Sequence, residues 1–302
     1  MVFDTVIIGA GPAGITAGIY AARKKMSFII LTMDIGGQAV WSGSIENYTG
    51  WQFVTGTELV GKFEEHLRQF KININESEAV KKVQTRGRII SIETEKASYE
   101  SKTAVIASGK KSKELGVPGE NEFKNRGVQY CSTCDAPLFA GKDVAIAGGG
   151  NSALEAAMQL VNIGKYVYII NNTPALHGDP VMLDKLSRSK NLEIHNNSEI
   201  REITGGAMVE SVKFEKEGRQ KNIPVQGIFI EIGLVPNSEF IEEVKKEESG
   251  EIVVNCLNET GTPGVFAAGD VTNVPEKQII IAAGEGAKAV LSAYRYISRQ
   301  AA

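Results

Sequence analysis

The sequence predicts an α/β fold made of two Rossmann-like dinucleotide-binding domains, the second inserted into the first. Three observations carry this reading. A short apolar strand, Val6-Ile7-Ile8, runs straight into Gly9-Ala10-Gly11-Pro12-Ala13-Gly14 and then into a small-residue helix from Ile15 to Arg23. The same order returns at Val144-Ala145-Ile146-Ala147, Gly148-Gly149-Gly150-Asn151-Ser152-Ala153 and the helical stretch Leu154 to Leu160. Late in the chain, a third buried strand, Val265-Phe266-Ala267-Ala268, ends in Gly269-Asp270 and precedes a long helix from Ile279 to Ile297.

Each element follows from its pattern. Phe28-Ile29-Ile30-Leu31 closes the first βαβ unit and Val167-Tyr168-Ile169-Ile170 closes the second. Between them, Glu58 to Phe70 has helical periodicity, and Ile89 to Thr94 reads as a meander strand. Thr103 to Gly109 reads as a buried strand ending in a glycine turn. Two changeovers mark the insertion: Lys110 to Gly119, rich in Lys, Gly and Pro, and Glu231 to Asn237. The expected division is 1–111 with 238–302 for the outer domain and 112–237 for the inserted one.

The composition excludes several classes. With 302 residues, 42% hydrophobic and 23% charged, the chain has enough apolar material for about two packed domains. A net charge of -3 gives no basic footprint for nucleic acid. No apolar run approaches the roughly 18 residues that span a bilayer. The N-terminus enters a strand at once and does not read as a signal peptide. A cytoplasmic protein is expected.

In a G-x-G-x-x-G loop the first glycine makes the turn, the second admits pyrophosphate, and the third lets helix and strand pack. Gly9, Gly11 and Gly14 fit those roles, with Pro12 and Ala13 opening the helix; Gly148, Gly150, Asn151, Ser152 and Ala153 form the second loop. An acidic residue usually follows the second strand and binds a ribose hydroxyl. Here Thr32 and Met33 stand there, with Asp34 slightly late, so the ribose contact falls to Thr32 or to backbone.

The other chemical signal is Cys131-Ser132-Thr133-Cys134-Asp135. Three cysteines are too few for a disulfide scaffold. A C-x-x-C pair lowers the pKa of one thiol and closes a reducible ring, and Asp135 is placed to exchange protons with it. A zinc site and a purely structural pair are the alternatives. Zinc needs two further ligands, and Cys256, His66, His177 and His195 show no ligand spacing. No metal site is expected.

These pieces, with Gly36-Gly37-Gln38, Ile45-Glu46-Asn47-Tyr48, Ala107-Ser108-Gly109 and Ile279 to Ala287, resemble the low-molecular-weight thioredoxin reductase family. The chain is especially similar to the flavoprotein part of the alkyl hydroperoxide reductase flavin subunit. The resemblance implies FAD in the outer domain, on Gly9, Gly11, Pro12, Ala13, Gly14, Thr32, Gly37, Gln38, Asn47, Ala107, Gly109, Gly269, Asp270, Lys277, Gln278 and Ile279. It implies that Cys134 faces the flavin, that Cys131 attacks or resolves the partner disulfide, and that Asp135 is the acid-base group. It further implies rotation of the inserted domain about hinges at Lys110 to Gly119 and Leu234 to Asn237, and a homodimer. The thioredoxin-like extension of the hydroperoxide reductase relatives is not present before residue 1, so the expected partner is a separate thioredoxin- or glutaredoxin-like protein.

Two departures qualify the resemblance. NADPH-using relatives place a His-Arg-Arg triplet after the second strand of the inserted domain, and another arginine shortly after. This chain has Asn171, Asn172, Thr173 and His177 there. Without guanidinium groups for a 2′-phosphate, NADH is expected over NADPH. Asn171 takes the place of the ribose-binding glutamate of NADH-using relatives. Ferredoxin or a deazaflavin is the alternative donor, and a dithiol oxidase or a redox-signalling flavoprotein the alternative function. The second departure is Ala136, where relatives have glycine.

Overall fold

The computed structural model describes residues 2–42 and 45–300, apart from the side chains of Trp41, Thr133 and Cys134. The chain divides into two compact units, Met1–Lys111 with Val235–Ala302, and Ser112–Leu234.

In the first unit, the strand Val2–Ala10 is the centre of a mostly parallel sheet. It pairs with Phe28–Ile35 on one side and Ser98–Ile106 on the other, and Val265–Ala267 joins the far edge of Ser98–Ile106. Parallel strands need crossover connections, and the helix Pro12–Arg23 supplies the first. Ile7, Ile30, Val105 and Phe266 face that helix and the C-terminal helix Ile279–Gln300, while Val6, Ile8, Leu31 and Ile106 face the opposite layer. Alternate residues of each strand thus fill two cores, which is why these runs are apolar throughout rather than alternating. The meander Val80–Arg86 and Ile89–Thr94 continues the sheet in antiparallel pairing.

The second unit repeats the plan. Its parallel sheet runs Leu192–His195, Tyr166–Ile170, Asp143–Ala147, Gly227–Ile230 and Val128–Gln129. The helix Asn151–Ile163 buries Ala153, Leu154, Ala156, Ala157 and Leu160 against it. A separate antiparallel sheet, Ser198–Gly205, Val209–Lys216 and Arg219–Pro224, covers the other face. Ala136 is buried, and its methyl packs in the core of the second unit.

The fold is therefore the α/β architecture with two Rossmann-like sheets that the two glycine loops predict.

Candidate active site

In both units the glycine loop leaves the end of a central strand and caps a helix. The two helices, Pro12–Arg23 and Asn151–Ile163, are capped by Gly11 and Gly150 with no side-chain hydrogen bond and no acidic residue in the first turn. Their first N–H groups and partial positive charge are thereby left for an anion.

The glycines differ in what demands them. A Cβ on Gly9, where φ is +103°, would sit 2.3 Å from the Ala107 carbonyl oxygen, and one on Gly14 would sit 1.9 Å from the Gly9 oxygen. Those two glycines are required by the chain's own packing. Gly11 is not: its Cβ would meet only the Gly36 oxygen, at 3.9 Å. The second loop behaves alike. Gly148 has φ +130° and a Cβ there would lie 2.2 Å from the Glu231 oxygen, whereas a Cβ on Gly150 would find His177 at 3.6 Å, an ordinary contact. In each loop the middle glycine keeps open a space that the protein itself does not fill, as close approach of a pyrophosphate requires. The residues present fit a dinucleotide at the first loop and a pyrophosphate at the second.

The residues at the ribose ends turn inward. Thr32 accepts from the Ala10 N–H at 3.2 Å and donates to the Asp34 carbonyl at 2.5 Å, while Asp34 Oδ1 accepts from the Gly37 N–H at 3.2 Å. Asn171 is 1% exposed. Its Nδ2 has the Thr173 and Ala175 carbonyls and Asn196 Oδ1 as acceptors within 3.2 Å, and its Oδ1 accepts from both the N–H and the hydroxyl of Thr173. The side-chain amide of Asn171 is used up in organising the loop after its own strand. The side chain expected to contact a ribose hydroxyl is thus bonded within its own loop in this structure. The following segment lies against the second glycine loop: the His177 N–H donates to the Gly149 oxygen at 2.8 Å, and the Asp179 N–H to Asn151 Oδ1 at 2.8 Å.

Around the first loop the other expected residues come together within one unit. Asn47 Nδ2 donates to Gln278 Oε1 at 3.0 Å. Gln38 Nε2 donates to the Lys110 carbonyl at 2.7 Å. Gly109, at φ +65°, accepts at its carbonyl from the Asn237 N–H at 2.9 Å. Gly269, at φ +77°, packs toward Ala13, where a Cβ would approach to 3.0 Å. Burial pushes the Asp270 carboxyl up, with Lys277 and Lys110 opposing. Ile279 begins the C-terminal helix. Glu251, which belongs to no sequence motif, joins this cluster: Lys110 and Lys277 lie 2.8 and 3.0 Å from it and hold its carboxyl down at about 2 against burial.

The dithiol segment lies in the second unit. Cys131 is disulfide-bonded, and Cys256 is free and exposed. The side chain of Cys134 falls outside the described residues. Burial raises the Asp135 carboxyl; with the Gln129 side-chain amide turned over, its nitrogen would donate to Asp135 Oδ2 at 3.0 Å. Tyr130 donates to Glu120 at 2.7 Å, and Glu120 also accepts from the Leu115 and Gly116 N–H groups. Glu231 accepts from Ser132; burial drives its carboxyl to about 7. Glu120 and Glu231 carry no motif, and only the fold brings them to the segment of the C-x-x-C.

Among the described residues, no group of three or more His, Cys, Asp or Glu is arranged to hold a metal ion, and no helix is long and apolar enough to cross a membrane.

Comparison with known proteins agrees with this geometry. The family model described as pyridine nucleotide-disulphide oxidoreductase matches residues 3–286. The chain is 40% identical over 301 residues to a protein named NADH dehydrogenase from Ferdinandcohnia aciditolerans, covering 98% of this chain and 58% of that protein. It is 40% identical over 305 residues to an alkyl hydroperoxide reductase component of Escherichia coli, covering 98% of this chain and again 58% of the relative. The chain thus spans under two thirds of the length of these relatives. Among solved structures, thioredoxin reductase of Lactococcus lactis superposes with a TM-score of 0.88 at 33% identity, over 98% of this chain and 99% of that one.

Proposed function

The chain belongs to the pyridine nucleotide-disulphide oxidoreductase family, and from that premise we propose that it is a flavin-dependent reductase of a small protein disulfide. The observation that carries this reading is a disulfide-bonded Cys131 followed by Asp135, a half-buried carboxyl that burial pushes up, in a unit that also presents a pyrophosphate-shaped loop.

FAD at the first loop would supply a two-electron carrier between a reduced donor and the dithiol. Gly9, Gly11, Pro12, Ala13 and Gly14 would hold its pyrophosphate, and Asp270 would bond its ribityl chain. Gly37, Gln38, Asn47, Ala107, Gly109, Gly269, Lys277, Gln278 and Ile279 shape the remainder, with Asn47 and Gln278 fixing each other. Thr32 acts indirectly, by setting the turn to Gly37.

Once the Cys131–Cys134 disulfide is reduced, the Cys131 thiolate attacks the partner disulfide and one partner sulfur leaves as thiolate. Cys134 then attacks Cys131, which re-forms the internal disulfide and frees the second partner sulfur. Asp135 hands a proton to the departing thiolate. The partner is a thioredoxin- or glutaredoxin-like protein, a reading supported by the likeness to the solved thioredoxin reductase. The enzyme is proposed to work as a cytoplasmic homodimer.

NADH is the favoured donor. Between Asn171 and Asp179 there is no Lys or Arg to pair with a 2′-phosphate, and one of the relatives is named NADH dehydrogenase. The internally bonded Asn171 amide favours a second reading, in which ferredoxin or a deazaflavin delivers the electrons.

Anaerobic titration of the flavin band separately with NADH and NADPH tests the donor. Bleaching by NADH alone supports the first reading, and bleaching by dithionite but by neither nucleotide supports the second. Cys131→Ser separates the half-reactions: flavin reduction by the donor is expected to survive, and reduction of a thioredoxin disulfide to be lost. A Cys131→Ser protein that still turns over thioredoxin would sink the mechanism. Oxygen consumption driven by dithiothreitol alone would favour the dithiol oxidase instead.

A further inference from the structure

Three carboxyl groups in the second unit lie beyond what disulfide exchange needs: buried Glu120, half-buried Glu231 and the more exposed Glu155. Glu120 is spent on Leu115, Gly116 and Tyr130. Glu155, on the helix after the second glycine loop, is raised by burial alone. Glu231 is placed differently. Its N–H donates to the Ala147 carbonyl at 2.8 Å, continuing the pairing of Gly227–Ile230 with Asp143–Ala147. Its carbonyl oxygen lies where a side chain on Gly148 would go, 2.2 Å from that Cβ position. Its carboxylate accepts hydrogen bonds from the N–H and the hydroxyl of Ser132, the residue next to Cys131. Ser132 is itself only 8% exposed. One residue therefore touches the first glycine of the second loop with its backbone and the dithiol segment with its side chain.

We propose that Glu231 is a positioning residue of the dithiol, which holds the Cys131 segment through Ser132 and takes up a proton when the disulfide is reduced. This rests on the reading of Cys131 as redox-active. A two-electron reductant, reduced flavin in the enzyme or dithiothreitol in a test, breaks the S–S bond. One sulfur takes a proton and the other remains a thiolate. The new negative charge raises the proton affinity of the nearby carboxylate, which binds a second proton from solvent.

The pH dependence has a definite sign. Burial, opposed by the Ser132 bonds and reinforced by Glu155, keeps the carboxyl protonated up to about pH 7. The other ionisable groups of the segment that carries Ser132 are Cys131, Cys134 and Asp135. Below pH 6 Glu231 is neutral in both redox states and has no effect on the dithiol. Above pH 7 it is ionised when the disulfide is closed and opposes the thiolate.

The test uses the purified holoprotein with dithiothreitol as reductant, the disulfide-to-dithiol equilibrium read by alkylation of Cys131 from pH 5.5 to 8.5. Wild type and Glu231→Gln are expected to coincide at pH 6. At pH 8 the glutamine protein should favour the dithiol by roughly threefold to tenfold, the equivalent of up to one pKa unit. Ser132→Ala, which removes one bond to the carboxylate, should move the wild-type inflection to higher pH. Superimposable profiles for wild type and Glu231→Gln overturn the proposal. If Glu231→Gln does not fold, an unshifted Ser132→Ala profile overturns it. A Cys131 that dithiothreitol never makes available to alkylation instead overturns the redox reading beneath it.

Discussion

At the scale of the residue, the two loops give the same lesson: a glycine the chain does not need is evidence of something the chain binds. Gly9 and Gly14 are fixed by contacts of 2.3 and 1.9 Å with backbone oxygens, whereas a methyl on Gly11 meets nothing nearer than 3.9 Å. The motif alone assigns these roles, and the structure supplies their physical reason. Gly11→Ala is therefore expected to fold with a wild-type melting temperature in the absence of flavin and to lose most of its flavin on gel filtration. Gly9→Ala, strained at φ +103° as well as crowded, should instead be destabilised by several kcal/mol, visible as a lowered denaturant midpoint. Equal effects from both substitutions would contradict the distinction. Asn171 shows what one residue's identity conceals. The sequence reads it as a ribose ligand because of its position after a strand. Its partners Thr173, Ala175 and Asn196 become apparent only when the loop folds back, so its inward turn has no signature in the sequence.

At the scale of the element, periodicity and punctuation make the strands and helices of both Rossmann-like sheets legible. The small-residue helix after Gly14 and the long C-terminal helix pack closely, since a Cβ on Gly286 would lie 2.0 Å from the Ala13 oxygen. The antiparallel sheet from Ser198 to Pro224 is less legible, because its strands are short, charged and half exposed. Ion pairing between distant elements is not legible at all. Lys110 begins the short strand Lys110–Ser112, Lys277 precedes the C-terminal helix, and Glu251 lies on a loop; the fold brings both lysines within 3.0 Å of the glutamate, with side chains 14, 25 and 19% exposed. The Glu251 carboxyl is held down at about 2, from an ordinary 4.5. A depressed folded pKa means stability that is present above pH 4.5 and drains away as the pH falls toward 2. Glu251→Gln is accordingly expected to be less stable than wild type at pH 7, with the gap closing as the pH falls below about 4. Urea midpoints at a series of pH values measure it, and a gap that stays constant down to pH 3 would contradict the assignment.

At the scale of the whole molecule, the chain passes between its two units twice, and the physical character of those passages bears on turnover. The proposed mechanism needs the flavin to meet a donor and the dithiol in succession, so the units are expected to rotate about the crossings. Three glycines flank them: Gly109, Gly116 and Gly233, with φ of +65°, +71° and +103°. A Cβ on Gly109 or Gly116 would touch nothing within 4 Å, and one on Gly233 would reach only the Lys113 side chain at 4.0 Å. Packing does not explain these glycines. Their use is backbone freedom, which a hinge needs and which alanine removes. Hydrogen bonds from Asn237 to Gly109 and from Lys113 to Gly233, each 2.9 Å, limit where the bending falls. Gly116→Ala with Gly233→Ala is therefore expected to leave flavin content unchanged and to slow steady-state reduction of the partner disulfide by roughly tenfold, about 1.4 kcal/mol in the barrier. Stopped-flow reduction of the flavin in the first turnover separates this from damage to the flavin site, which would slow that step as well. If the double variant turns over at the wild-type rate, bending does not fall at these glycines.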